Sequence, residues 1–462
     1  MATALRSKNY LEAFRELEKV RQGAEPVWLR HLRAEGWDIF KSNGFPTVRD
    51  EDWRFTNLAS LTRTEFRRAP ESAISRSAVD GSLLAGAVCQ LVFVNGRFAP
   101  GLSDIASLPA GLEVSSLSDA LRHKAESVEQ HLGRYANLRR DAFAALNTAF
   151  WEDGAYIRIR RGAQIEQPVH LLFVTTDATS SPVMTHPRSL IVAEQASKAA
   201  ILEDYVSLGP GAALSNSVTE LAAADDAIVS HYLVERENYD SFNISTLRIE
   251  QARNTNVSTH SILLGGGLVR NNVHPVLNGP GAECLINGLF VGAGRQHLDN
   301  YMLVEHASPH GSSRQFYNGI LDQQARGVFH GRIVVHKDAQ KTDAKQTNRN
   351  LLLSDDARMD TKPQLEIRAD DVKCTHGATI GRIEDEPLFY LRSRGLDEKS
   401  ARNLLLYAFA AECLDRMNEQ PAREFVEQFI RQRLHEIATA SQSVPPPSLH
   451  QAQDVPDPEE VA

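Results

Sequence analysis

Cys374-Thr375-His376 is the one short constellation in the 462-residue chain whose residue types and spacing suit metal chemistry. In an extended segment, residues i and i+2 project to the same face, so a thiolate and an imidazole there can approach one metal ion side by side. Two ligands do not complete a tetrahedral site, and a buried Cys beside a hydrogen-bonded His reads equally well from spacing alone. Cys374 is a useful thiolate only where positive charge, with Lys373 the neighbour at hand, lowers its pKa. Five other histidines, His297, His306, His310, His330 and His336, fall in a strand-rich region, and stacked strands could gather several as iron or zinc ligands. Taken singly, each reads as structural.

Motifs for other chemistry are missing. The chain has no G-x-x-x-x-G-K-[ST] loop, so ATP hydrolysis is not expected of it, and Gly265-Gly266-Gly267 and Gly292-Ala293-Gly294 lack the following helix that a phosphate cradle needs. These glycines read as corners between strands. No H-E-x-x-H, G-x-S-x-G or EF-hand pattern occurs, which removes the common protease, esterase and calcium readings. None of the common enzyme signatures is met.

Three textures must position Cys374 and His376. Residues 1–86 read as helical: Leu11, Phe14, Leu17 and Val20 recur at helical spacing, and a second helix starts near Pro26. Residues 87–380 are short β-forming runs bounded by Gly, Pro, Asn or Asp, with one helical interruption inside Ala136 to Trp151. Apolar centres near Val273, Ile286, Leu303, Phe316 and Val328 recur every 12–17 positions, with Asn272, Asn287, Asn300 and Asn318 beside them. Two such strands per coil make a solenoid, in which each coil buries its apolar side on its neighbours. A β-sandwich is the alternative, but nearly 290 residues of strand texture exceed one sandwich. Residues 381–440 return to helical spacing, with Asp397 as an N-cap; these helices either dock a partner or cap the solenoid end. Residues 441–462, with Pro445-Pro446-Pro447, are too poor in apolar side chains to fold and read as a disordered tail.

Composition bounds the setting. A net charge of −9 argues against nucleic acid as partner, and no apolar run reaches a membrane-spanning length. Four scattered cysteines without C-x-x-C, and no secretory h-region near the N-terminus, point to the cytoplasm.

Three segments carry a resemblance to a known family: Gly44-Phe45-Pro46-Thr47 through Asp50-Glu51-Asp52-Trp53-Arg54-Phe55-Thr56-Asn57-Leu58; Thr342 through Ser354; and Val372-Lys373-Cys374-Thr375-His376-Gly377-Ala378-Thr379-Ile380-Gly381 running on to Gly395. Together they resemble the SufB/SufD family of the SUF iron–sulfur cluster assembly system, covering all but the Pro-rich tail. His376 is followed by Gly377 where SufB-like chains carry Glu, which favours the SufD branch over a SufB-type scaffold. The resemblance implies a mainly β molecule, a right-handed parallel β-helix flanked by helical domains. It further implies pairing with SufB through the β-helix, with SufC, the ATPase, through the C-terminal helices, and with a second copy in isolation. It makes His376 a ligand for iron or a nascent Fe–S cluster held transiently at the SufB–SufD interface, with Cys374 beside it. A purely structural partner without metal ligation is the competing expectation.

Overall fold

The computed structural model describes residues 2–440 apart from 22, 24, 177, 179 and 180. Residues 441–462, expected to be disordered, lie outside the described residues.

Two large sheets wind around one interior. Their strands alternate in sequence, so that one sheet takes every second strand and the other the strands between. From Val169 onward the pairing within these sheets is parallel, and register partners lie one coil apart: Phe242 with Leu268, Val257 with Cys284, Arg326 with Arg358. These offsets of 26 to 32 positions are twice the apolar spacing of the sequence, as two strands per coil require. The fold is therefore a parallel β-solenoid.

Inward positions stack in columns. Val229, Val257, Cys284, Ser313 and Ala344 occupy one column on successive strands, each buried, and Cys374 is the next rung. Near the first coils Phe93, Phe173 and Tyr205 form an aromatic ladder with ring centroids 5.0 and 4.8 Å apart, within the range for offset stacking.

One corner of the solenoid repeats with little glycine. Ala196, Asp226, Asn254, Gly281, His310 and Lys341 all take left-handed backbone conformations at the same point of successive coils. Each N–H donates to a carbonyl of the following coil at 2.6–3.1 Å. That shared hydrogen bond holds a conformation that side chains with a Cβ ordinarily avoid. The Gly265–Gly267 cluster does form a corner, between the Asn256–Leu263 and Leu268–Leu277 strands.

Helices cover both outer faces. On one, the helices Ala2–Arg21, Val27–Asn43 and Ala142–Phe150 build an aromatic cluster over Met184, Leu214, Val218, Ile244 and Leu268. Val20 departs from the expected apolar stripe and is exposed. On the other, the helices Glu398–Leu414 and Gln420–Ala440 bury Leu406, Phe409, Val426 and Ile430 against Leu202, Tyr232, Ile262 and Leu289. They lie on the sheet face and not across the solenoid end. Asp397 caps the first of them as expected, accepting from the Ser400 N–H at 2.9 Å.

The segment Asp50–Leu58, without period in the sequence, is a strap over the first outer face. Trp53 sits between Phe143, 5.4 Å between centroids, and the Arg270 guanidinium, 3.8 Å from the ring. Thr56 hydrogen-bonds His297 at 3.0 Å and also Asp299, and Glu51 pairs with Lys362. The strap thereby ties the strands that contain Arg270, Asp299 and Lys362.

Candidate functional site at the last coil

The Arg358–Ile367 and Lys373–Gly381 strands close the two sheets, and each pairs on one side only among the described residues. Their other edges present a row of backbone N–H and C=O groups, a ready template for strand addition. Ile367 and Ile380 are exposed beside these edges.

Cys374 and His376 sit on the second of these strands. Their register partners are Ala344 and Gln346, both buried, whereas Thr375 pairs with the exposed Lys345. Cys374 and His376 therefore share the inward face and Thr375 the outward one, as the i, i+2 spacing predicts. The two differ in environment: Cys374 is half-buried against the core, and His376 is exposed.

The column that ends in His376 changes character along the solenoid. It runs from Ile286 through Gln315 to Gln346, with Gln346 Nε2 donating to Gln315 Oε1 at 3.2 Å. Gln315 Nε2 and Gln346 Oε1 are buried without a partner, so the interior is polar where it nears the open end. Sequence reasoning assigned no role to these glutamines. The signal was present, since Gln315, Gln346 and His376 follow one another at the coil period.

The condition for a Cys374 thiolate is not met by its surroundings. Burial pushes its thiol above the ordinary range and Asp343 adds to the shift; the Ala344 backbone opposes it only in part. Lys373 does not turn this residue into a thiolate. Cys89, Cys284 and Cys413 are buried deeper, and burial pushes each up to about 12.

The other histidines do not converge. His297 meets Thr56; His306 bonds Ser313 at 2.8 Å inside the coil; His310 is a corner residue; His330 bonds Gln364 at 2.8 Å; His336 pairs with Glu305 at 3.1 Å. Among the described residues no group of three or more His, Cys, Asp or Glu is arranged to hold a metal ion. His376 and Cys374 present two donor groups on one face, fewer than the four of a tetrahedral site.

A second exposed surface lies beyond the last strand. The Asp385–Ser393 helix buries only Leu388, leaving Phe389 73% and Tyr390 55% exposed, and Leu404 is exposed on the following helix. Clustered large apolar side chains of this kind mark interaction surfaces.

Residues 173–409 match the family described as "SUF system FeS cluster assembly, SufBD core domain", and residues 5–171 match "SufBD protein N-terminal region". An iron–sulfur cluster assembly SufBD family protein of Synechocystis is 35% identical over 416 residues, covering 88% of this chain and 91% of that protein. The iron–sulfur cluster assembly protein SufD of Escherichia coli is 34% identical over 392 residues, 85% and 90% of the two chains. SufD of Bacillus subtilis is 26% identical over 440 residues, 92% and 96%. Among the described residues no helix is long and apolar enough to cross a membrane. With both halves of the chain matched and the solenoid in place, the chain belongs to the SufBD family of iron–sulfur cluster assembly proteins.

Proposed function

We propose that this chain is the SufD-type, non-ATPase scaffold subunit of a cytoplasmic SUF complex. It pairs with a SufB-type chain through the last coil of its solenoid and with a SufC-type ATPase through its C-terminal helices. The observation that carries this reading is the open edge: a nine-residue strand, Lys373–Gly381, holds His376 exposed at the solenoid end with one side of its backbone unpaired among the described residues. Strand addition there would set a partner's side chains opposite the column that ends in His376. An imidazole supplied across such an interface would let iron or a nascent cluster be held by both chains and released when they part. In isolation, two copies would pair through the same edge.

The exposed Phe389 and Tyr390, with Leu404 on the outer side of the next helix, support the ATPase contact, because the helices Glu398–Leu414 and Gln420–Ala440 already bury their other apolar side chains on the sheet. Nucleotide-driven closure of the ATPase would act on these helices, with this chain as a mechanical element.

Co-expression with SufB- and SufC-type chains tests the reading on one His376→Ala preparation. The complex should assemble at wild-type yield and fail to accumulate iron and sulfide. Assembly with normal cluster content would remove His376 as a ligand and leave this chain a structural partner. Joint loss of assembly and Tm would make His376 a folding residue.

A further inference from the structure

An apolar groove of about 500 Å³ opens beside the strap, far in sequence from the last coil. Trp37, Phe40, Phe45, Pro46, Val48 and Phe66 line it. The aromatic walls are braced on one another: Phe40 and Phe45 meet edge to face at 5.0 Å, and Phe66 meets Phe242 at 5.8 Å. Such a groove suits a proline-rich segment in the polyproline II conformation, which presents pyrrolidine rings to aromatic faces and loses little entropy on binding.

Reach and composition single out one occupant. Lys41 and Glu65 line the groove, and Arg49, Arg54 and Arg63 flank it in sequence together with Asp50, Glu51 and Asp52. Of these carboxylates Glu51 pairs with Lys362, and Asp50 accepts from the Thr47 N–H at 2.7 Å. Residues 441–462 carry Asp454, Asp457, Glu459 and Glu460, no Lys or Arg, and prolines at 445, 446, 447, 456 and 458. The last described helix ends at Ala440, and its Ile437 lies beside Tyr239 and Gly267. Gly267 leads directly into Leu268, which shares one apolar cluster with Phe66, Trp37 and Phe40. The five residues from Ala440 to Pro445 span about 15 Å when extended at ~3.1 Å each, enough to pass from that corner toward Phe66.

We propose that the groove is the docking site for this chain's own segment 443–458, with its prolines against Phe45 and Phe66 and its carboxylates toward the flanking Lys and Arg residues. The contact joins the helix on one face of the solenoid to the N-terminal cluster on the other.

The test uses the full chain with p-benzoylphenylalanine in place of Val48, which is 47% exposed at the groove. Irradiation should give an intramolecular cross-link mapping to residues 443–458. Its yield should fall at least about threefold at ~0.5 M salt, where ion pairs are screened, and likewise in the Asp454→Lys, Asp457→Lys double variant. Replacing Pro445, Pro446 and Pro447 by Ala should reduce it as well. The same probe at Glu65, also exposed in the groove, covers the case in which the first variant fails to fold. Cross-links confined to residues outside the tail overturn the proposal. So do tail cross-links that form only between isotopically light and heavy chains, which would make the occupant a second copy.

Discussion

Arg349 and Glu412 join the solenoid to the helices that cover it: one guanidinium nitrogen donates to both carboxylate oxygens, at 2.8 and 2.6 Å. Arg349 lies on the Asp343–Leu352 strand, which pairs directly with the strand holding His376. A displacement of the helix at Glu412 thus reaches the His376 strand through one intervening strand. The pair is about 40% exposed on both sides, so screening limits its worth. A double-mutant cycle on Arg349→Ala and Glu412→Ala should return a coupling of about 0.5 kcal/mol, and no more than ~1 kcal/mol. A value near zero by denaturant unfolding would break this link.

Cys374 should behave as a slow thiol. With its pKa raised by burial and Asp343, alkylation by iodoacetamide at pH 7.5 should run slower than for an unstructured cysteine peptide and speed up toward higher pH. Mass mapping of the native chain should show Cys374 modified first, since Cys89, Cys284 and Cys413 are buried. Fast modification at neutral pH would show a thiolate that this environment does not support.

Ala196 sits at the repeated corner with φ near +57°. A Cβ there strains the backbone, so Ala196→Gly should leave stability unchanged or raise it by up to about 1 kcal/mol, the relief of strain outweighing the added freedom of the unfolded chain. Thermal melts of the two proteins decide it; a loss of ~1 kcal/mol or more would contradict the corner geometry.

Acid should destabilise the fold from about pH 6.5 downward through its buried histidines. Burial pushes His170, His186 and His260 from an ordinary value of 6.5 down to about 3, with Arg236, Arg21 and His231 respectively adding to the effect. The unfolded chain binds these protons below about pH 6.5 while the folded chain refuses them until about pH 3. Stability is therefore full above 6.5 and is lost as pH falls, by about 2 kcal/mol per histidine at pH 5. Replacing His260 by Gln should flatten the decline of Tm between pH 7 and 5; an unchanged slope would mean that His260 is not held neutral.

The solenoid was legible because its coils repeat: Val273, Ile286, Leu303, Phe316 and Val328 mark half-coils, and doubling their spacing gives the observed register. The i, i+2 facing of Cys374 and His376 was legible for the same reason, since a strand has only two faces. The environment of Cys374 was not, because what raises its thiol is core packing and Asp343 on the neighbouring strand, contacts set by register between coils. The Gly265–Gly267 corner was legible from its glycines. The other corner was not, because Asp226, Asn254, His310 and Lys341 adopt the same left-handed turn only where a hydrogen bond to the next coil secures it. The strap was unreadable by periodicity, as Trp53, Thr56 and Glu51 each answer to a residue more than 200 positions away.

Asn287 and Asn318, on adjacent strands, donate to the Cys413 and Phe409 carbonyls at 2.9 and 2.8 Å, one turn apart on the same helix. Their register partners are Phe316 and Leu289, so the two asparagines stand two residues apart along the strands as well as one strand apart. One helix thus spans two strands through two of its own carbonyls. A pull on that helix loads both strands together, and neither hydrogen bond can be released without shifting the load onto the other.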